Sequence, residues 1–198
     1  IAIDCISFIE TEAIDTIEVQ QEIEWTLLQS AVVVFTSMNA VEAVAKWHEG
    51  HQPDWEVYCM GHATKKLVIE NFGEHCLAGT AQDAASLAEL IAEENGTDEA
   101  IFFCGDQRRD ELPSFLQERG IDVNEIVVYQ TTEVPHKIAE EYLGVLFFSP
   151  SAVRSFFKTN KVGEKTILFS IGNTTSAEIK KFSSNKIMIS DDPSKENL

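Results

Sequence analysis

The chain has 198 residues, 44% hydrophobic and 24% charged, enough to bury a proper core in one large domain or two small ones. Its 33 acidic and 15 basic residues give a formal charge of −18, which argues against duplex nucleic acid or an anionic membrane as partner, since either demands a basic face. No apolar run approaches the roughly 18 residues of a membrane-spanning helix, and no charged-then-apolar leader opens the sequence at Ile1.

The first run, 1 to 8, reads as a strand entering a domain, and a crossing segment follows at about 9 to 11. An amphipathic stretch at 17 to 29 leads to an apolar strand at 31 to 36. The same alternation continues with a helix at 39 to 48, a strand at 56 to 60, helices at 62 to 72 and 83 to 94, and a strand at 101 to 104. Val32-Val33-Val34-Phe35 and Ile101-Phe102-Phe103 are apolar without alternation, the pattern of strands covered on both faces. A helix at 111 to 119 is ended by Gly120, and a strand at 125 to 129 runs into a second crossing segment at about 129 to 132. Further strands are expected at 144 to 148, 166 to 171 and 186 to 189. This order predicts an α/β protein built on flavodoxin-like, doubly wound parallel sheets.

The chain also repeats itself. Residues 33 to 41 read VVFTSMNAV and residues 145 to 153 read VLFFSPSAV, pairing Ser37 with Ser149 and Asn39 with Ser151. Residues 60 to 64 (MGHAT) lie opposite 171 to 175 (IGNTT), pairing Gly61 with Gly172 and Thr64 with Thr175. The opening IAIDCISFIETE resembles IDVNEIVVYQTTE at 121 to 133, so the second copy is assembled from both ends of the chain. The expected domains are therefore 1 to 8 with 133 to 198, and 12 to 128, joined by a two-segment linker whose strands could pair as a short ladder. The same logic expects a strand and helix, about 20 to 25 residues, before Ile1, and about 10 or more residues of helix after Leu198.

Each repeated motif falls where a strand ends and a helix begins, so unpaired backbone N–H groups and the helix dipole point outward, an arrangement suited to anions. Ser37, Asn39, Ser149 and Ser151 could cap their helices and also donate to a ligand oxygen, while Gly61 and Gly172 admit close backbone approach. Capping and turn formation alone would also explain these residues; four equivalent sites favour a ligand, expected in a cleft between the two copies. Arg108 and Arg109 follow a strand in GDQRRDELP, where Arg108 could meet a ligand carboxylate or pair with Asp106, Asp110 or Glu111. Tyr129 ends an apolar strand at the return crossing, as a core side chain or as a phenol facing the ligand, ordinarily protonated at neutral pH and able to donate.

No Walker loop, GxGxxG fingerprint or Ser-His-Asp order is present. His48, His51, His62, His75 and His136 form no ligand cluster, and Cys59 with His62 makes an isolated pair, so no metal is assigned. Cys5, Cys59, Cys76 and Cys104 share no short spacing and three of them adjoin apolar runs, which predicts buried, reduced thiols and a reducing cytoplasm.

Taken together, VVFTSMNAV, MGHAT, FFCGDQRRDELPSFLQERGI, VVYQT, LFFSPSAVRSFF and IGNTT resemble the uroporphyrinogen-III synthase family in order, spacing and duplication, over about 6 to 198. The resemblance implies an enzyme of two doubly connected domains that cyclises the linear tetrapyrrole hydroxymethylbilane. Water is lost from the hydroxymethyl group to give an azafulvene, closure passes through a spiro-pyrrolenine, and the last ring ends inverted. It implies no cofactor, a monomer, and a transient contact with the preceding pathway enzyme. Because the substrate also closes unaided to the non-inverted isomer, the protein's contribution is conformational, a clamp on acetate and propionate groups. By the same resemblance Tyr129 assists hydroxyl departure, and Thr174 and Thr175 are helix-start threonines of the opposing domain. Met38 stands where the second copy carries Pro150, and the family's first strand, ending in a Thr-Arg pair, has no counterpart in the sequence. A non-catalytic tetrapyrrole- or anion-binding module of the same fold is the alternative; a purely structural protein leaves the four equivalent loops unexplained.

Overall fold

The computed structural model describes residues 2–48, 50, 52–93 and 96–190. It divides into two compact units, one of residues 11–130 and one formed by 1–10 together with 131–198. His51, one of the five histidines, lies outside the described residues.

The contiguous unit opens with β1 (Ile9–Ala13) and α1 (Ile17–Leu27), followed by β2 (Ala31–Phe35), α2 (Met38–Ala45), β3 (Trp55–Met60) and α3 (His62–Phe72). It continues through β4 (Leu77–Ala81), α4 (Ala84–Glu93), β5 (Glu99–Gly105), α5 (Glu111–Glu118) and β6 (Asp122–Glu133), the last of which runs on into the other unit. The six strands lie in the order β1-β6-β5-β2-β3-β4. Strands β6, β5, β2, β3 and β4 are parallel neighbours. Counted circularly from β5, their order is 2-1-3-4-5, the flavodoxin arrangement, reached here by a chain that starts two strands late.

Helices cover both faces, as the unalternating strands demand. Val33, Phe35, Val57, Cys59, Ile101 and Phe103 pack with Ile23 and Leu27 of α1, Val41 and Val44 of α2, and Val68 and Phe72 of α3. Val34, Tyr58, Phe102 and Cys104 point the other way, against Leu87, Ala88 and Ile91 of α4 and Leu112 and Leu116 of α5. Stacked rings of Phe35 and Phe103, centroids 5.5 Å apart, sit at the centre of the first of these layers, and burial of each such side chain contributes up to about 3 kcal/mol. Three of these helices, α1, α2 and α4, begin on residues whose side chains satisfy a first-turn N–H group: Thr16 receives Val19 N, Ser37 receives Ala40 N and Asp83 receives Ser86 N.

The second unit contains β7 (Gly144–Phe147), α6 (Pro150–Thr159), β8 (Ile167–Ser170), α7 (Asn173–Ile179) and β9 (Ile187–Ile189). Its described strands form a parallel sheet in the order β7-β8-β9. Phe147 and Leu168 pack with Val153 and Phe156 of α6 and Ile179 of α7, whereas Leu146, Phe148 and Met188 are exposed.

Two sequence expectations are corrected. Residues 2–8 form no strand; the strand starts at Ile9. They are held by side chains, with Tyr142 Oη donating to Asp4 Oδ2 at 2.7 Å and the Phe8 ring lying against His136 and Phe156. The edge strand β4 of the contiguous unit went unassigned in the sequence because LAGTA has neither a long apolar run nor β-branched residues beyond Thr80. Ladder pairing between the crossing segments is present: β1 and β6 are neighbours, and Phe8 O receives Val134 N while Val128 O receives Ile14 N, each at 2.9 Å, so the two segments run in opposite directions. Among the described residues, no helix is long and apolar enough to cross a membrane.

Candidate functional site

Connections leave the large sheet in opposite directions at β2 and β5: α2, which follows β2, covers one face, and α5, which follows β5, covers the other. Adjacent strands whose following helices diverge open a crevice at their carboxyl ends, the usual ligand position in open α/β sheets. Ser37 stands two residues after the end of β2, and Gly105 closes β5.

Tyr129 reaches this crevice from β6. Its phenol lies 3.2 Å from Ser37 Oγ, which donates to it, and the same Oγ receives Ala40 N at 3.2 Å as the cap of α2. Tyr129 is half-buried, with its ring over Gly105, so the structure places it at the crevice mouth, in contact with both the core and the loops. Asn39, half-buried, occupies the first turn of α2. Gly61 caps α3 beside it, since β2 and β3 are paired from Ala31 with Trp55 to Phe35 with Cys59. Its φ of +76° is a left-handed conformation that only glycine adopts without strain. No side chain caps α3, and Thr64 is buried in its first turn.

Arg108 sits in the loop after β5, but its guanidinium is ion-paired with Asp110 and Glu125. The pairing with Asp110 is one of the alternatives the sequence left open; that with Glu125, on β6, crosses between neighbouring strands. The loop is thereby tied down by protein carboxylates.

In the second unit the duplicate motif has nearly the same local geometry. Ser149 caps α6 with φ −154° and ψ 155°, against −145° and 151° at Ser37, and receives Ala152 N at 3.2 Å. Its hydroxyl lies 3.1 Å from that of Ser151. Gly172 caps α7, again without a side-chain cap, but in an extended conformation open to any residue, so the paired glycines are not conformational equivalents. Thr174 is exposed while Thr175 is buried, as Thr64 is at the equivalent place. The sequence did not single out Gly105; its signal would have been a glycine ending a fully buried strand.

A broad groove on the contiguous unit, about 1360 Å³, lies at the opposite, amino-terminal ends of the strands. Glu18, Glu22, Glu24, Asp54, Glu56, Asp98 and Glu99 line it, with no lysine or arginine among the described residues there. Such a groove repels an anionic ligand, so the donor-rich loop edge is the better candidate. Among the described residues, no group of three His, Cys, Asp or Glu side chains is placed to hold a metal ion.

The family model described as Uroporphyrinogen-III synthase HemD matches residues 2–198. The uroporphyrinogen-III synthase of Saccharomyces cerevisiae is 33% identical over 86 residues, 39% of this chain and 31% of the yeast protein, so the match spans about a third of that relative's length. Among solved structures, uroporphyrinogen-III synthetase from Helicobacter pylori superposes with a TM-score of 0.68 at 20% identity, covering 96% of this chain and 87% of that one. A mutant uroporphyrinogen III synthase from the extremely thermophilic bacterium Thermus thermophilus gives 0.65 at 15% identity, over 92% and 80%. These likenesses carry the fold, and the match along essentially the whole sequence carries the family: this chain belongs to the uroporphyrinogen-III synthases.

Proposed function

We propose that the protein closes hydroxymethylbilane, with loss of water and inversion of the terminal ring, to the type III macrocycle. The observation that carries this reading is the Tyr129 phenol held at the crevice between β2 and β5, hydrogen-bonded to Ser37 at 3.2 Å. In this scheme Tyr129 gives a proton to the departing hydroxyl, which leaves as water, and the resulting azafulvene carbon bonds to the terminal ring. The acetate and propionate groups are held by the helix-start N–H groups behind Ser37, Gly61, Ser149 and Gly172, with Asn39 and Thr174 adding side-chain donors. Ser151, Thr64 and Thr175, being buried, shape those first turns. Arg108 anchors the loop after β5 through its two carboxylate partners.

The reaction so written needs no cofactor. The four free cysteines suit a reducing cytoplasm. A monomer that meets the preceding pathway enzyme only transiently completes the reading, and sedimentation of the isolated protein tests its first half.

The decisive experiment generates hydroxymethylbilane in place, adds the full chain, and separates the oxidised porphyrin isomers by chromatography. The inverted isomer should dominate, and Tyr129→Phe should slow its formation by about 100-fold or more, the size of a lost general acid. Only the non-inverted isomer from folded protein would support a binding module instead.

A further inference from the structure

Tyr129 occupies an unusual place in its strand. Cys104 pairs with Val127, but Gly105 pairs with Tyr129, so β6 carries one extra residue at this point. Without that bulge, strict alternation would send Val128 and Tyr129 to opposite faces. Both instead pack with the core cluster that includes α2. The bulge therefore re-aims Tyr129 toward the face on which Ser37 begins its helix. Beyond it, Asp106 N donates to Tyr129 O at 3.1 Å, which fixes the backbone in the displaced register.

Space for the ring comes from Gly105. A Cβ there would lie 2.6 Å from Cε2 and 2.7 Å from Oη of Tyr129, well inside contact distance. Gly105 has no left-handed backbone conformation to explain it. Its lack of a side chain is used for the tyrosine.

Ser37 Oγ is an acceptor toward its helix and a donor toward the phenol. Because Ser37 Oγ accepts from Ala40 N, its own proton is free to go to Tyr129 Oη. The phenol oxygen is then an acceptor in that bond, and its proton must point to a third party.

From these contacts we infer that Ser37 is a positioning residue for Tyr129: within a seat made by the β6 bulge and Gly105, it makes the phenol an outward proton donor at the crevice. The inference rests on the proposed reaction and adds to it the group that sets the direction of proton delivery. Ser37 touches the phenol, and it acts on the substrate's hydroxyl only through that phenol. The chain of bonds from Ala40 N–H through Ser37 to Tyr129 polarises in one sense, strengthening the final donor.

A double-mutant cycle tests this in the coupled assay, with Ser37→Ala, Ser37→Thr, Tyr129→Phe and the Ser37→Ala/Tyr129→Phe pair. Ser37→Ala should lower kcat about tenfold, the scale of one hydrogen bond, with KM little changed. Ser37→Thr should restore it, and the double variant should be no slower than Tyr129→Phe alone. Independent, multiplying losses would overturn the inference while leaving the synthase reading intact; a wild type that yields only the non-inverted isomer would remove that reading instead. A readout that needs no activity is the Tyr129 Cζ resonance of tyrosine-labelled protein, assigned with Tyr129→Phe. It should move in Ser37→Ala and stay in Ser37→Thr, and an unmoved resonance in folded Ser37→Ala protein overturns the inference.

Discussion

Ser37 and Tyr129 were both visible in the sequence, but for different reasons. Ser37 was marked by its duplicate at Ser149, and the two caps share backbone angles to within about ten degrees, as a shared N-cap requirement dictates. Tyr129 could be placed at a strand end, yet whether it was core or site depended on a one-residue bulge that no pattern of apolar residues records. The thiols were partly legible: Cys59, Cys76 and Cys104 are buried, while Cys5 is exposed and departs from the expectation. Burial pushes Cys59 and Cys104 from the ordinary 9.0 to about 11, with Lys65 and Arg108 pulling slightly the other way. The folded chain then holds protons that the unfolded chain releases between those values, so stabilisation complete below pH 9 is lost as pH rises toward 11, by up to about 3 kcal/mol per thiol. Thermal melts across that range should fall less steeply for the Cys59→Ala/Cys104→Ala variant, and a thiol reagent at neutral pH should modify Cys5 in the native protein well before the other three.

Strands and helices with strong apolar runs were legible; those that depend on their neighbours were not. The edge strand β4 holds Gly79 where a Cβ would collide with Leu90 and with the ring of Tyr58, so its composition answers to packing. The run 1 to 8 looked like a strand through its likeness to β6, but β6 has partners on both sides and residues 2–8 have side-chain anchors instead. A comparable anchor sits at the end of α6. Asn160 is buried there; its Nδ2 donates to His136 O at 2.6 Å and Phe156 O at 3.0 Å, and its Oδ1 receives Ile138 N at 2.7 Å. This one side chain ties the segment before β7 to the helix after it. Asn160→Ala leaves the half-buried Ile138 N–H without its acceptor and removes the link to His136 O, and should cost about 1 to 2 kcal/mol, read as a lowered Tm, whereas exposed Thr159→Val should cost less.

At the scale of the molecule the acidic excess is uneven in its consequences. Carboxylates crowd the amino-terminal groove of the large sheet, whereas the carboxyl ends carry serines, glycines and open helix starts. One protein can thus be strongly anionic and still offer a polycarboxylate a receptive edge, because the relevant field is local. The two units also differ in how their chains are laid out: one is a continuous stretch and the other needs residues from both sides of it. A fragment of 11–130 should therefore unfold cooperatively in denaturant, while 131–198 alone, lacking Asp4 and Phe8, should not; a cooperative transition for the second fragment would contradict this.

That layout sets an order of events on the ribosome. The segment 2–10 emerges ahead of the contiguous unit but finds its partners, Val134, His136, Tyr142 and Phe156, only after that whole unit has been made. At roughly 5 to 20 residues per second, the contiguous unit has seconds in which to fold while Asp4 and Phe8 wait for their partners. Docking of this segment is therefore necessarily a late event, completed only after the chain between the two halves of its unit has been made and the residues from 131 onward have followed.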